Sequence, residues 1–287
     1  MTVEVLLRSA ACNRKQRNAV AKLIYIGGYG RSGSTLLEYL LSSHPALVAC
    51  GEVQRSFRRF EVKKERLCTC GQRLPKCHVW APFHGRWGKL KGQPVHELTL
   101  ALLETVSADY QVMVDSSKTA WGSLSIPWRL SRKIGQNFLL VHLVRDPRGV
   151  CWSSIRTSSR PRKNVRTWPP AISAMRAALG WTVANLACEI FRWRFPKRYL
   201  RVRYDDMVRA PNEVVSEVLS HTKLSAPAAL LAIGQTNRHQ LHGNGMRYKL
   251  LSLSDIKADV AWETEMPQRY QLLVAGLCWP LTLRYKG

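Results

Sequence analysis

The sequence predicts an α/β fold in which a central parallel β-sheet is flanked by helices on both faces. Three observations predict it. Four short apolar runs rich in β-branched residues each end in polar or charged residues; longer segments, helical in spacing, separate them; and the first run enters such a segment through a glycine-rich turn. Strands buried on both faces read as near-continuous apolar runs, and parallel neighbours need helix-length crossovers. Ligands of such sheets gather beyond the carboxyl ends of the strands.

The elements follow in order. Residues 1–21 read as an irregular or weakly helical lead-in, and 22–287 as a single domain. Lys22–Ile26 (KLIYI) is the first strand, stopped by Gly27 and Gly28. Gly28–Thr35 (GYGRSGST) then leads into the apolar, helically spaced Leu36–Leu41, which ends at His44-Pro45. A short apolar segment, Leu47–Ala49, returns the chain toward the active edge of the sheet ahead of Cys50-Gly51-Glu52-Val53. Residues 54–100 change character, with alternating charges, a cysteine cluster and several Gly and Pro, and are expected to form a surface insertion or partly helical cap. Gln111–Asp115 is a second strand, ending in Ser116-Ser117-Lys118. Asn137–Val144 is a third, ending in Arg145-Asp146-Pro147-Arg148-Gly149. Ala171–Phe191, which carries Arg176 and Glu189, reads as a buried amphipathic helix rather than a membrane span. Leu200–Tyr204 is a fourth strand, followed by Asp205-Asp206 and a turn at Pro211.

Composition narrows the class further. The chain has 287 residues with 46% hydrophobic content, enough for a sizeable core, which excludes a disordered basic tail. No apolar run approaches the roughly 20 residues needed to cross a bilayer. The basic patch Arg14–Arg17 follows the short apolar stretch at the N-terminus, the reverse of a secretory signal, so a cytoplasmic location is expected. Eight cysteines, most of them scattered singly, are then expected to be reduced. The 44 Lys+Arg against 19 Asp+Glu give a net charge of +25. Such an excess attracts polyanions, whether nucleic acid, anionic lipid or a phosphorylated small molecule, and charge alone does not choose among them.

The glycine-rich turn carries the first chemical signal. A turn of this kind presents unpaired N–H groups at the positive end of a helix and holds an oxyanion with few side chains. Gly28 and Gly33 have the spacing that opens a P-loop, so the sheet is expected to be P-loop-like. Where an ATP-binding loop has its lysine, however, this chain has Ser34. That lysine neutralises the β/γ-phosphates beside Mg²⁺, so nucleoside triphosphate hydrolysis is disfavoured. The cation sits instead at Arg31, inside the loop. A tight structural turn without a ligand is the alternative.

Tyr29–Leu37 (YGRSGSTLL) resembles the 5'-phosphosulfate loop of sulfotransferases, enzymes that use 3'-phosphoadenosine 5'-phosphosulfate (PAPS). Leu143–Ser153 (LVRDPRGVCWS) resembles the 3'-phosphate segment of the same family, with an arginine at a strand end and a serine eight residues later. Two motifs in the right order, each at an expected strand end, are more specific than either alone. Weaker matches are Asp115–Lys118, Arg203–Asp206 and His242–Arg247, the last a late loop that in bacterial members closes over the 3'-phosphate end and often has Pro where this chain has Gly245.

The resemblance implies an α/β sulfotransferase with PAPS as co-substrate, a hydroxylated acceptor and no required metal. It implies that Arg31 and the backbone of Ser32, Gly33, Ser34 and Thr35 hold the 5'-phosphosulfate, with the hydroxyls of Ser34 and Thr35 as further donors. Arg145 and Ser153 would hold the 3'-phosphate, Tyr204 would lie near the nucleotide, and Arg247 would close over it. Lys118 would approach the transferring group; an exposed strand-end lysine is the alternative. The base is expected at Glu52, by resemblance to the protein-tyrosine sulfotransferase branch and many bacterial relatives; a partly exposed acid paired with Arg55 is the alternative. Sulfuryl transfer, like phosphoryl transfer, relies on positioning and fixed charge.

Cys68, Cys70 and Cys77 with His78 supply three thiols and an imidazole, a ligand set suited to zinc. The spacing is unusual and the adjacent Cys77 and His78 are poorly placed to share an ion. Buried free thiols are therefore expected, with a disulfide or a zinc site as alternatives. A similar cysteine segment occurs in bacterial sulfotransferases outside the transfer chemistry.

Two other functions compete. One is a P-loop kinase-like phosphotransferase, disfavoured by Ser34. The other is a basic nucleic-acid-binding protein, suggested by the net charge and by Arg156–Arg166 with Trp168; with the resemblance, no nucleic-acid partner is expected. Peripheral contact with an anionic membrane stays open. The basic stretches 55–66 and 156–166 with Trp80, Trp87 and Trp168 hint at an acidic or ring-bearing acceptor, a small metabolite or glycan.

Overall fold

β1 (Lys22–Gly27) lies at the centre of a five-stranded sheet because both of its faces are apolar. Leu23 and Tyr25 point into one core cluster and Ile24 and Ile26 into another, the period-2 alternation of a strand covered on both sides. The computed structural model describes residues 22–58, 60, 66–120, 122–158, 169–225, 237–243, 245–248 and 253–285. The expected lead-in, 1–21, lies outside the described residues, as do 59 and 61–65 of one basic stretch, 159–166 of the other, and Trp168.

The other strands are β2 (Leu47–Ala49), β3 (Val112–Asp115), β4 (Phe138–Val144) and β5 (Tyr199–Arg203). Their order is β2-β3-β1-β4-β5, and all neighbours are parallel. The four expected strands are present to within a residue at each end. Leu47–Ala49 becomes the edge strand, pairing Leu47, Val48 and Ala49 with Val112, Met113 and Val114. β1 runs between β3 and β4, so the chain leaves it toward opposite sides of the sheet. Ligands of open parallel sheets bind at such a switch point, beyond the carboxyl ends of the strands.

Helices cover the two faces. On one, α1 (Ser34–Leu41), α9 (Tyr204–Arg209) and α10 (Pro211–Ser220) bury Leu37, Leu40, Met207, Val215 and Val218 against Ile24, Ile26 and Val141. On the other lie α2 (Val53–Phe57), α3 (Trp80–Gly85), α4 (Trp87–Leu90), α5 (Val95–Val106) and α6 (Ile126–Ile134). Residues 54–100 thus supply much of one wall of the core: Phe57, Phe60, Trp80 and Phe83 cluster there with Leu98 and Leu102.

The long apolar segment is α8 (Pro170–Arg194), which packs with α7 (Pro147–Ser158) and α12 (Gln268–Tyr285) around Trp181, Ala178 and Val274. α11 (Ala261–Glu265) precedes α12. Among the described residues, no helix is long and apolar enough to cross a membrane.

Candidate active site

The glycine-rich turn sits at the end of β1 and opens α1 directly. Gly33 precedes the helix with φ 98°, no side chain caps it, and its first turn has no acidic residue. The leading amides therefore remain available to an anion. Two of its glycines are required by space. A Cβ on Gly28 would meet the Leu143 carbonyl at 2.5 Å, and one on Gly33 would meet the Tyr204 ring at 2.7 Å. Arg31 has φ 71°, in the left-handed region that ordinary side chains avoid. Ser32 is buried, and its Oγ has no hydrogen-bond partner among the described residues. Such an orphan hydroxyl costs free energy until something accepts from it or donates to it.

A second strained residue lies at the same end of the sheet, three residues beyond β3. Lys118 has φ 69°, and the fold over-determines it. Its N–H donates to the Ile26 carbonyl at 3.2 Å, its own carbonyl accepts from the Tyr25 hydroxyl at 2.6 Å, and the next N–H, of Thr119, reaches the Gly28 carbonyl at 3.1 Å. The loop after β3 is thereby stitched to the end of β1. The Lys118 ammonium lies 2.7 Å from Glu52 Oε1, and Arg55 binds Glu52 Oε2 at 3.0 Å. Burial pushes the Glu52 carboxyl up, but the adjacent Lys118 charge and hydrogen bond, with Arg55, outweigh it and hold the group at about 2. Both sequence alternatives meet here, since Glu52 pairs with Arg55 and with Lys118.

Asp115, buried at the end of β3, accepts from Ser117 N–H at 2.8 Å and from Ser117 Oγ at 2.5 Å. Ser117 Oγ in turn accepts the Gln54 N–H at 2.9 Å, which fixes the start of α2 next to Glu52. Burial pushes the Asp115 carboxyl up to about 6.

Arg145 extends from β4 into a third cluster. Its guanidinium donates to the Arg31 carbonyl at 3.1 Å and to the Asp259 carbonyl at 2.6 Å, pairs with Asp259 Oδ2 at 3.2 Å, and stacks on Tyr204 at 4.3 Å. Arg31, Gly33, Arg145 and Tyr204 are therefore brought together. Ser153 lies one turn beyond Gly149, on the same helix α7 whose Gly149 packs against Arg145. Arg247 is engaged elsewhere, with the Gly243 carbonyl and the Tyr248 hydroxyl, while its Nε is buried without a hydrogen-bond partner among the described residues. Arg148 forms a two-point pair with Asp146, at 2.7 and 3.1 Å, and lies over Trp262.

One acceptor hint is corrected. Trp80 is fully buried in the core and spends its indole N–H on the His239 carbonyl at 2.6 Å, so it offers no ring to a ligand. Its indole fills the space beneath Phe57 and Phe60, a packing role that the sequence did not distinguish from a binding one.

Several residues of the site went unread in the sequence. Asp259 holds both Arg145 and Arg156, each at 3.2 Å. Glu38, on α1, ties four segments together. It accepts from the Gly51 N–H at 2.7 Å, the Ser116 hydroxyl at 2.9 Å and the Gln240 amide at 3.0 Å. An acid on the buried side of an amphipathic helix is the signal that was available for it. Burial pushes this carboxyl up to about 8 from an ordinary 4.5. Between those values the folded chain keeps a proton that the unfolded chain has released, so stability falls as pH rises through the window. The Tm is expected to drop between about pH 5 and 8, by the equivalent of a few kcal/mol, and Glu38→Gln should flatten that profile. An equally steep profile in the variant would place the slope on another group.

Comparison with known proteins agrees with this architecture. Residues 132–228, from α6 to just beyond α10, match the model of the sulfotransferase family. That stretch contains Arg145, Ser153 and Tyr204 but not the Arg31 loop, so the loop is independent support for the resemblance. The fold is shared with the sulfotransferase domain from the Synechococcus PCC 7002 olefin synthase, at 21% identity and TM-score 0.64, covering 93% of this chain and 97% of that one. It is shared equally with the sulfotransferase domain from the curacin biosynthetic pathway, at 20% identity and TM-score 0.59, covering 90% and 97%. Sulfotransferase STF1 from Mycobacterium tuberculosis H37Rv aligns at 12% identity and TM-score 0.54, covering 96% and 80%. No curated protein sequence gives a significant match.

Proposed function

We propose that this chain, with a sulfotransferase-family segment on a sulfotransferase fold, transfers a sulfuryl group from PAPS to the hydroxyl of a small metabolite or glycan. The observation that carries the proposal is the presence of four elements at the carboxyl end of one sheet. These are an uncapped helix start with an orphan serine hydroxyl, Arg145 bonded to the same loop, and a lysine and a carboxylate in contact.

PAPS would supply a sulfuryl group on a phosphate leaving group. The α1 amides, Arg31 and the hydroxyls of Ser32, Ser34 and Thr35 suit its 5'-phosphosulfate, and Ser32 Oγ would gain the partner it lacks. Arg145, with Ser153 and the Tyr204 ring, suits the 3'-phosphate end, because a guanidinium offers planar, two-point donation. Arg247 would join by a rearrangement of its loop.

Lys118 and Glu52 act as a coupled pair. A carboxylate held at about 2 is a weak proton acceptor. As Lys118 turns toward the leaving phosphate, Glu52 loses its largest stabilising charge and becomes basic enough to take the acceptor's proton. Base strength is in this way tied to donor loading.

Thermal shift with 3'-phosphoadenosine 5'-phosphate, ATP-Mg and duplex DNA tests the donor assignment. At a bisphosphate concentration about 100-fold above Kd, stabilisation is about 2.7 kcal/mol, or about 5 °C in Tm. A larger shift with ATP-Mg would favour the phosphotransferase reading. A shift with DNA alone, falling steeply with salt, would favour nucleic-acid binding. Transfer of label from sulfate-labelled PAPS to a panel of hydroxylated metabolites and glycans then identifies the acceptor class.

A further inference from the structure

The three clustered cysteines are completed by a residue far away in sequence. Sγ of Cys68, Cys70 and Cys77 and Nδ1 of His239 all lie within 4.8 Å of one another. Cys68 and Cys77 sulfurs are 3.7 Å apart, Cys70 and Cys77 3.8 Å, and His239 Nδ1 stands 3.2 Å from Cys77 and 3.8 Å from Cys68. Zinc–sulfur bonds of about 2.3 Å and a zinc–nitrogen bond of about 2.0 Å at tetrahedral angles place neighbouring sulfurs about 3.8 Å apart and sulfur and nitrogen about 3.5 Å apart. The two sulfur pairs at 3.7 and 3.8 Å match the first edge, and the His239 distances of 3.2 and 3.8 Å bracket the second. A disulfide, at about 2.05 Å, would bring two sulfurs together and leave the third and the imidazole unused; the described cysteines are all free.

The surroundings are those of bound thiolates. The backbone N–H of Cys70 points at the Cys68 sulfur, that of Gln72 at Cys70 and that of Trp80 at Cys77. Amide donors aimed at each sulfur are the outer support that metal thiolates commonly receive. A tight turn carries the first two ligands, with Cys68 N–H bonded to the Gln72 carbonyl at 2.8 Å and Gly71 N–H to the Cys68 carbonyl at 3.0 Å. His239 is itself fixed, its N–H on the Ala49 carbonyl at 2.8 Å and its carbonyl on the Trp80 indole. The adjacent His78 is not among the four, its Nε2 bonding the Tyr110 hydroxyl at 2.9 Å while its ring packs edge-on against that of His239, centroids 4.3 Å apart.

We propose that Cys68, Cys70, Cys77 and His239 form a structural zinc site that clamps residues 237–243 to the segment following α2. All four coordination positions are filled by protein, the closed arrangement of a structural rather than a catalytic zinc. The clamp has a functional neighbour. Thr69 and Gln240 exchange backbone and side-chain bonds, Gln240 reaches Glu38, and the His242 carbonyl accepts the Glu52 N–H at 3.4 Å. Zinc would thus hold the backbone on which Glu52 rests, without taking part in transfer.

The test is metal analysis of the full chain, purified without a metal-affinity step under reducing conditions. About one zinc per chain is expected, near zero in Cys70→Ser and His239→Asn, and unchanged in His78→Asn. Cys70 is exposed, so its serine variant removes a ligand without opening the core. Should both ligand variants fail to fold, the wild-type chain still decides. Cobalt exchanged into it should show the intense visible bands of a tetrahedral thiolate site and one cobalt per chain. Absence of stoichiometric metal after reconstitution with zinc or cobalt overturns the proposal. So does a disulfide among these cysteines by mass spectrometry, or zinc lost with His78 and kept without His239.

Discussion

Glu52→Gln is expected to lower the rate of transfer by about 10²–10⁴-fold, the range for loss of a general base, while the 3'-phosphoadenosine 5'-phosphate affinity stays within about threefold of wild type. Glutamine keeps the shape and one hydrogen bond to Lys118, but it cannot accept the acceptor's proton at neutral pH. On the proposed assignment the bisphosphate would be held by the Arg31 loop and the Arg145 cluster, and the side-chain partners of Arg145 and of Glu52 have no residue in common. Single-turnover rates with labelled donor measure the first quantity and calorimetric titration the second. Wild-type turnover in the variant would remove Glu52 from the base role. A parallel loss of binding would reveal it as a support of the loop instead.

The pH profile gives the same assignment a separate check. With its carboxyl held at about 2, Glu52 is ionised throughout the neutral range in the free protein. The free-protein profile, read as kcat/KM, should therefore show no acidic limb due to this group above about pH 4. Lys118→Met removes the charge that holds the carboxyl down. Burial would then dominate and move the limb upward, and on the proposed role of Lys118 the rate should fall because the leaving phosphate would lack its cation. The pair also contributes to stability: since the folded value lies below the ordinary 4.5, that contribution is present above it and is lost as pH falls toward 2.

Much of this could be read from the sequence because the relevant signals are local. A run such as Phe138–Val144, seven buried residues in a row, has few alternatives to a strand between two layers. Gly28 and Gly33 mark a turn whose geometry excludes side chains, Gly28 because the Leu143 carbonyl approaches it and Gly33 because the Tyr204 ring does. What could not be read depends on contacts over long separations. His239 completes a cysteine cluster 162 residues away, and Asp259 reaches Arg145 across 114. No periodicity or spacing carries that information. Glu38 shows a third case: a helix-face acid is visible, but its three donors come from loops at Gly51, Ser116 and Gln240 that meet only in the fold. Trp80 shows the converse, a local hint of stacking that tertiary packing overrode.

Arg145→Ala should weaken 3'-phosphoadenosine 5'-phosphate binding by about 10²-fold, the scale of two lost charge-assisted hydrogen bonds at roughly 1.4 kcal/mol per decade, and should lower Tm as well. Two effects have to be separated, because the guanidinium also bridges the Arg31 carbonyl, the Tyr204 ring and the Asp259 segment. Asp259→Asn separates them. The Asp259 carboxylate now occupies part of the donor set that a phosphate would use, and Arg145 and Arg156 hold it below its usual range despite burial. An incoming phosphate must compete with that carboxylate, so its neutral isostere should bind the bisphosphate more tightly than wild type, by a few-fold, even though a salt bridge has been removed. If Arg145 only braced the fold, both variants would bind less well, in proportion to their loss of stability. Opposite shifts in Kd from two variants that both remove the Arg145–Asp259 ion pair are the result expected when an anion competes with the carboxylate for the arginines it holds.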